Sequence, residues 1–304
     1  MSSAPAYSFV IPVYKSVASL EPLFEGIKQL MTEYGAGFEV IFVEDNGSKE
    51  SWNKLLEIKA KHAGEVSLIM LSRNFGQNGA TLCGITEARG KFVVTIDDDL
   101  QVHPAEIKKL IECEQKTNAD VIYGVYSEKS GTWLRNTGSR LIKLLFRKTE
   151  GGSNIGSSIR LLSRNITEHL RNHSQDHLFI NQVISWYTFN TSFVEVERNP
   201  RSEGDSGYSL TQLFLIAFRL FFLYTTAPLK IMIALCIMGS VAAVTLAGYY
   251  IYRHFVFGQG LGFLIIIVIA VSLILAGISI MGIYINRLYS ARVKKPHFAI
   301  KVKL

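Results

Sequence analysis

Two apolar runs without a single charge constrain this chain before anything else does. Residues 231–252 contain no Asp, Glu, Lys or Arg, and neither do residues 255–286. About 20 apolar residues in a helix cross a hydrocarbon core of about 30 Å, and both runs reach that length. Arg253 and His254 separate them, with Gly258-Gln259-Gly260-Leu261-Gly262 reading as a turn. The sequence therefore predicts a transmembrane hairpin within residues 228–286, its helices at about 229–252 and 261–286. A buried soluble hairpin is the competing reading, which runs of this length and apolarity disfavour. Residues 287–304 carry Arg287, Arg292, Lys294, Lys295, Lys301 and Lys303 and no acid. Such an excess marks a cytoplasmic flank, so a basic cytoplasmic tail is expected. Two crossings return the chain to the side it left, which puts the N-terminal region in the cytoplasm as well.

The remainder has a different character. Residues 1–208 mix polar and apolar segments, and the net charge of +7 and mean hydropathy of +0.22 come from joining unlike parts. No nucleic-acid partner is expected. Cys83, Cys113 and Cys236 are widely spaced and odd in number. They point to a reducing compartment and buried thiols rather than to metal-ligand pairs or disulfides. Met1–Tyr7 shows neither a basic nor an apolar leader pattern, so no cleaved signal is expected.

Within residues 1–208, short β-branched runs alternate with helical periodicity. Strands are expected at 7–13, 38–43, 66–71, 91–96 and 120–125. The helix after the first carries Leu20, Leu23, Phe24, Ile27, Leu30 and Met31 at helical spacing. The next starts near Ser51 with Trp52, Leu55, Leu56 and Ile58 inward. Others run to about Arg89 and from Pro104 to about Lys116. This alternation predicts a parallel, doubly wound α/β sheet. Ligands of such sheets bind beyond the carboxyl ends of the strands. The polar clusters 44–48, 72–77 and 97–101 all fall there, which argues for an active site.

The sharpest of these is Val93-Val94-Thr95-Ile96-Asp97-Asp98-Asp99-Leu100-Gln101. Three adjacent carboxylates at the end of a buried strand repel one another. Their presence makes sense where a hard cation and a phosphate-bearing ligand bind, since Mg²⁺ combines one or two protein carboxylates with substrate phosphates. A solvated acidic turn is the bland alternative. No G-x-G-x-x-G follows the first strand and no P-loop motif occurs, so Rossmann and P-loop chemistries are disfavoured. Gly151–Gly156 reads as a loop. Residues 132–148 form a basic amphipathic pattern suited to an anionic membrane surface. Ser192–Glu197 reads as a strand and 198–209 as a polar loop with two arginines. Residues 209–227 suit a helix lying in the interface.

Taken together, Phe9-Val10-Ile11-Pro12-Val13-Tyr14, the Glu44-Asp45 strand end, Leu71–Gln77 and Asp97–Gln101 resemble glycosyltransferase family 2. More narrowly they resemble the polyprenyl-phosphate glycosyltransferases, a group that includes bacterial undecaprenyl-phosphate sugar transferases. Asp120–Gly124, Arg160–Arg164, Arg201-x-x-Gly204-x-Ser206-x-Tyr208 and the C-terminal span pair extend the likeness.

The resemblance implies a GT-A fold, a nucleotide-sugar donor, a polyprenyl phosphate acceptor, Mg²⁺ or Mn²⁺, and inversion at the anomeric carbon. It implies Asp99 and Gln101 as metal ligands, with Asp97 a nucleotide contact beside them and Asp98 grouped with it. Pro12, Tyr14, Glu44, Asp45 and Arg73 would line the nucleotide-sugar site. Arg135, Ser139 and Arg201 would hold the lipid phosphate, Arg201 beside Asp97 and Asp99 in the catalytic set. The expected location is the bacterial inner membrane. Small residues such as Gly239 and Ala243 permit close helix packing and hence a homo-oligomer.

Departures from the pattern fall mainly on the acceptor side. Tyr126 stands where a basic residue is common, Ser158 where an acid is, and Gly207 where a lysine is. Competing functions are a processive polysaccharide synthase, whose Gln-x-x-Arg-Trp pattern lacks its arginine in Gln182–Trp186, and a non-catalytic nucleotide-sugar-binding scaffold. Retention of Asp97, Asp99 and Gln101 argues against the scaffold.

Overall fold

The computed structural model describes residues 5–126, 158–172, 180–198, 227–258, 262–293 and 296–304. Two compact units result, one of Met1–Gly204 with Lys295–Leu304 and one of Asp205–Lys294. The expected basic helix at 132–148, the interfacial helix before residue 227, and Arg135, Ser139 and Arg201 lie outside the described residues.

In the first unit the expected strands form as β1 (Tyr7–Val13), β2 (Phe38–Glu44), β3 (Val66–Leu71), β4 (Phe92–Thr95) and β5 (Val121–Tyr126). Between them run α1 (Leu20–Tyr34), α2 (Lys49–Lys61), α3 (Gln77–Glu87) and α4 (Ile107–Thr117), the last preceded by a 3₁₀ turn at Pro104–Glu106. Then come β6 (Arg160–Ser163), α5 (Arg164–Arg171), α6 (Ile180–Tyr187) and β7 (Thr191–Val196), with β8 (Ile300–Lys303) last. Local chemistry explains the boundaries. Ser48 Oγ accepts from Ser51 N at 3.1 Å and caps α2, and Gly35 at φ 60° ends α1.

The eight strands form one sheet in the order β7-β5-β6-β4-β1-β2-β3-β8. It is mixed, which corrects the all-parallel expectation. β6 is antiparallel to both β4 and β5, and β8 is antiparallel to β3. The alternation of strand and helix that foretold parallel pairing covers residues 7–125 only. Within the basic tail, Ile300–Lys303 forms β8 and completes the edge of the sheet.

Alternation along the strands sends side chains to two helical layers. Phe9, Ile11 and Val13 of β1 face α1, α2 and α4, packing with Leu23, Phe24, Leu55, Leu110 and Ile111. Val10 faces the other way with Ile41 and Val43, against α3, α5 and α6. Leu56 is 37% exposed and so lies off the inner face of α2 expected to hold it. On α3 a Cβ at Gly84 would stand 2.3 Å from Val10 Cγ1, so glycine is what lets this helix settle on the sheet.

The second unit contains α7 (Ala227–Phe257) and α8 (Gly262–Val293), helices of 31 and 32 residues that pack on each other. Gly258, at φ 68°, stops α7 and donates its N–H to His254 O at 3.0 Å. Among the described residues no helix is long and apolar enough to cross a membrane. α7 contains the charge-free run 231–252, and α8 is free of charge over 262–286.

Candidate active site

The parallel strands β1 to β4 end along one edge of the sheet, and their loops carry the expected residues. Backbone geometry there is unusual. Lys15 (φ 61°), Asn46 (φ 54°) and Leu100 (φ 54°) are non-glycine residues in the left-handed region, one in each loop after β1, β2 and β4. Such conformations persist only where surrounding contacts hold them, and they gather at functional sites.

Side chains supply those contacts. Glu44 is buried and turns its carboxylate onto the loop it precedes. Its Oε1 accepts from Gly47 N at 2.6 Å and Ser48 N at 3.2 Å, and its Oε2 from Asn46 N at 2.9 Å. A Cβ at Gly47 would meet the Tyr14 ring at 2.8 Å and Lys15 N at 2.9 Å, so the first two loops lean on each other. Asp45, also buried, accepts from Phe75 N and Gly76 N, each at 2.7 Å, and so carries the loop after β3. Burial raises its pKa, against the pull of those two backbone bonds. Arg73 stacks on Phe75 with 4.6 Å from guanidinium carbon to ring centroid. It caps nothing on α3; instead Asn74 Oδ1 accepts from Gly76 N at 3.1 Å.

The acidic cluster divides into three environments. Asp97 accepts from Gln77 Nε2 at 2.5 Å and from Ser158 Oγ. Burial raises its pKa, with Asp99 adding repulsion and Ser158, Arg160 and Gln77 opposing. Asp98 reaches back to the first loop, accepting from Tyr14 N at 3.1 Å and from Ser16. Burial first, then its two acidic neighbours, push its pKa up to about 6 against those two bonds. Asp99 accepts from Gln101 Nε2 at 2.5 Å and Gln101 N at 3.2 Å, so the two expected metal ligands stand side by side. Tyr14 is exposed at the rim, whereas Pro12 is buried within β1 opposite Val43.

Residues that the sequence reading left without a site role complete the arrangement. Because β6 runs antiparallel to β4, its first residues arrive where β4 ends, with Arg160 opposite Thr95. Arg160 is 5% exposed; its Nε donates to Thr95 Oγ1 at 3.0 Å and its Nη1 to Asn181. Burial lowers its pKa while Asp97 supports its charge. A buried guanidinium is costly unless partners compensate it, and here Thr95 and Asn181 accept from it while the charge of Asp97 favours its protonated form. Arg198, past the end of β7, donates Nε to Gln101 Oε1 at 2.5 Å. The local signal was an arginine opening the apolar run Arg160-Leu161-Leu162; only strand direction says which edge it reaches.

Residues 8–174 match the family described as glycosyl transferase family 2. The chain is 30% identical over 307 residues to the undecaprenyl-phosphate 4-deoxy-4-formamido-L-arabinose transferase of Serratia proteamaculans, covering 97% of this chain and 93% of that one. The like-named protein of Pseudomonas aeruginosa is 30% identical over 303 residues, covering 97% and 89%. Among solved structures, mannosyl-3-phosphoglycerate synthase from Rubrobacter xylanophilus superposes with a TM-score of 0.50 at 14% identity, over 71% of each chain. That likeness concerns the fold alone, and with the family match it supports the expected GT-A architecture. The chain belongs to glycosyl transferase family 2 and is a glycosyltransferase.

Proposed function

We propose that this enzyme transfers one sugar from a nucleotide-sugar, a UDP-sugar, to a polyprenyl phosphate such as undecaprenyl phosphate, inverting the anomeric carbon with the help of Mg²⁺ or Mn²⁺. The carrying observation is the Asp97–Gln101 loop, whose carboxylates are individually pinned at the strand ends beside the loops held by Glu44 and Asp45. Relatives named as undecaprenyl-phosphate sugar transferases match over nearly the whole chain, which supports the acceptor class.

The donor set suits a hard cation of the kind that phosphates complete. Among the described residues no group of three or more His, Cys, Asp or Glu is placed to hold a metal alone. Asp99 and Gln101 would contribute two oxygens, leaving the remaining positions to phosphate and water. Once bound, the ion supplies Lewis-acid stabilisation of the departing diphosphate.

The chain's own residues do the rest. Asp45 and Glu44 hold the loops that would enclose the nucleotide, and Arg160 balances Asp97 beneath it. A phosphate acceptor is anionic at neutral pH, so no strong general base is required. Arg135, Ser139 and Arg201 are assigned to the lipid phosphate, where guanidinium forks match phosphate oxygens.

For the membrane, the reading is a hairpin of α7 and α8 with both chain ends on the cytoplasmic side. Leu235, Val241, Val244, Ile274, Leu275 and Ile278 expose apolar side chains to their surroundings, which lipid would cover. The test is to incubate membranes containing the protein with labelled nucleotide-sugars, Mg²⁺ or Mn²⁺ and short polyprenyl phosphate. The donor panel includes UDP-linked 4-deoxy-4-formamido-L-arabinose, the sugar in the relatives' names. A lipid-linked monosaccharide of the expected mass supports the reading; no product with any donor removes it.

A further inference from the structure

Arg198 sits two residues past Val196, and β7 runs parallel to β5 with Val196 opposite Tyr126. That register lays the guanidinium over the Tyr126 ring, 4.8 Å from its centroid. The Gln101 amide lies between two partners. Its Nε2 donates to Asp99 at 2.5 Å, and its only oxygen receives Arg198 Nε at 2.5 Å. Arg198 is exposed, and its two terminal nitrogens make no hydrogen bond or ion pair with a described residue.

We propose that Arg198 is a phosphate-binding residue held in reserve by Gln101, which passes to a phosphate oxygen of the reacting ligands when the cation is taken up. The proposal rests on the metal and phosphate reading above. A hard cation takes oxygen, not an amide N–H₂. For Gln101 to offer its oxygen on the Asp99 side, the amide must turn over, and it then presents N–H₂ to the guanidinium. Two donors face each other and the contact is lost. The stack on Tyr126 does not depend on Gln101, so the arginine stays on its shelf at the strand ends with a full fork of N–H groups. Phosphate oxygens match that fork and accept charge-assisted bonds. The same geometry answers the absence of a basic residue at position 126: Tyr126 provides a platform, and the adjacent strand provides the charge.

The consequence is coupling. Cation and phosphate should bind cooperatively, with Arg198 as the link. Two phosphates are available, the donor's diphosphate and the acceptor's monophosphate, and the measurements separate them. Using the full chain in detergent, Mn²⁺ binding is followed by electron paramagnetic resonance with and without UDP. UDP binding is followed by calorimetry with and without Mn²⁺. Wild-type protein should show mutual enhancement.

In Arg198→Ala, Mn²⁺ alone should bind as well as in wild type or more tightly, since the competitor for Gln101 is gone. If the donor's phosphate is held, the enhancement of UDP binding by Mn²⁺ falls about ten-fold or more. If the acceptor's is held, that enhancement persists and the KM for short polyprenyl phosphate rises by a similar factor. Arg198→Lys, with charge but no fork, should fall between. Either pattern supports the proposal. Unchanged coupling and unchanged KM overturn it, as does loss of Mn²⁺ binding itself, which would make Arg198 a support for the metal site. Should wild-type protein form no lipid product with any donor, the functional reading fails, while the Mn²⁺–UDP measurements still judge Arg198.

Discussion

At the scale of single residues, the site is a set of carboxylates that the fold has given different work. Asp98 is the clearest case for a pH effect. Its folded pKa of about 6 lies above its ordinary 3.8, so between those values the folded state binds more protons than the unfolded one. On account of this group stability is fully present below about 3.8 and is lost as pH rises through about 6. Asp98→Asn, which keeps an oxygen for Tyr14 N, should stabilise metal-free protein by about 1–2 kcal/mol at pH 7.5 and by almost nothing near pH 4. Thermal melts in EDTA at the two pH values measure this; a gain of equal size at both would refute the charge explanation. Asp99→Ala should lower turnover at least a hundred-fold, roughly the effect of losing one strong electrostatic contact to the reaction, and weaken Mn²⁺ binding in parallel. Full activity in that variant would end the metal assignment. Cys83 is buried and its thiol is pushed up to about 12 by burial, with Glu87 adding. Half-buried Cys113 should therefore react with a maleimide well before Cys83, as peptide mass mapping would record.

At the scale of elements, the short strand β8 and the turn before it have the widest influence for their length. Lys303 pairs with Ile69 across the edge of β3, Phe298 packs on the second core layer, and Ala299 O accepts from Ser72 N at 2.8 Å. Ser72 opens the very loop whose other end is held by Asp45. Deleting residues 296–304 should therefore cost about 2 kcal/mol, a fall in Tm of about 4–8 °C for a unit of this size, and bare an open sheet edge. It should also weaken nucleotide binding, since the loop after β3 keeps only one of its two anchors. A truncated protein with unaltered Tm and unaltered nucleotide affinity would show that the strand is ornamental. The elements that are legible in the sequence, β1 to β5, β7 and α1 to α4, are those with a sustained apolar period. β6 and β8 were missed because four residues such as Ile300–Lys303 carry too little pattern to distinguish a strand from a basic tail.

At the scale of the whole molecule, the chain carries a GT-A unit and a second unit with the two long helices α7 and α8. If α7 and α8 cross a bilayer, alkaline carbonate should leave the protein in the membrane pellet, and only detergent should release it. Release by carbonate alone would point to surface attachment, and the hairpin reading would have to be given up. The exposed apolar side chains on both helices motivate the expectation, because water would make that surface costly.

Sequence alone determined what is local and periodic. Hydrophobic period marks strands and helices, and the run into Asp97–Gln101 marks a strand end with ligand chemistry, all within a few residues of one another. Tertiary structure decided what depends on strand direction and order. The antiparallel β6 delivers Ser158 and Arg160 to Asp97, and the parallel β7 delivers Arg198 to Gln101. Those partners stand 61, 63 and 97 positions apart in the chain (158−97, 160−97 and 198−101). No periodicity spans such distances, since only hydrogen-bonded register brings them together.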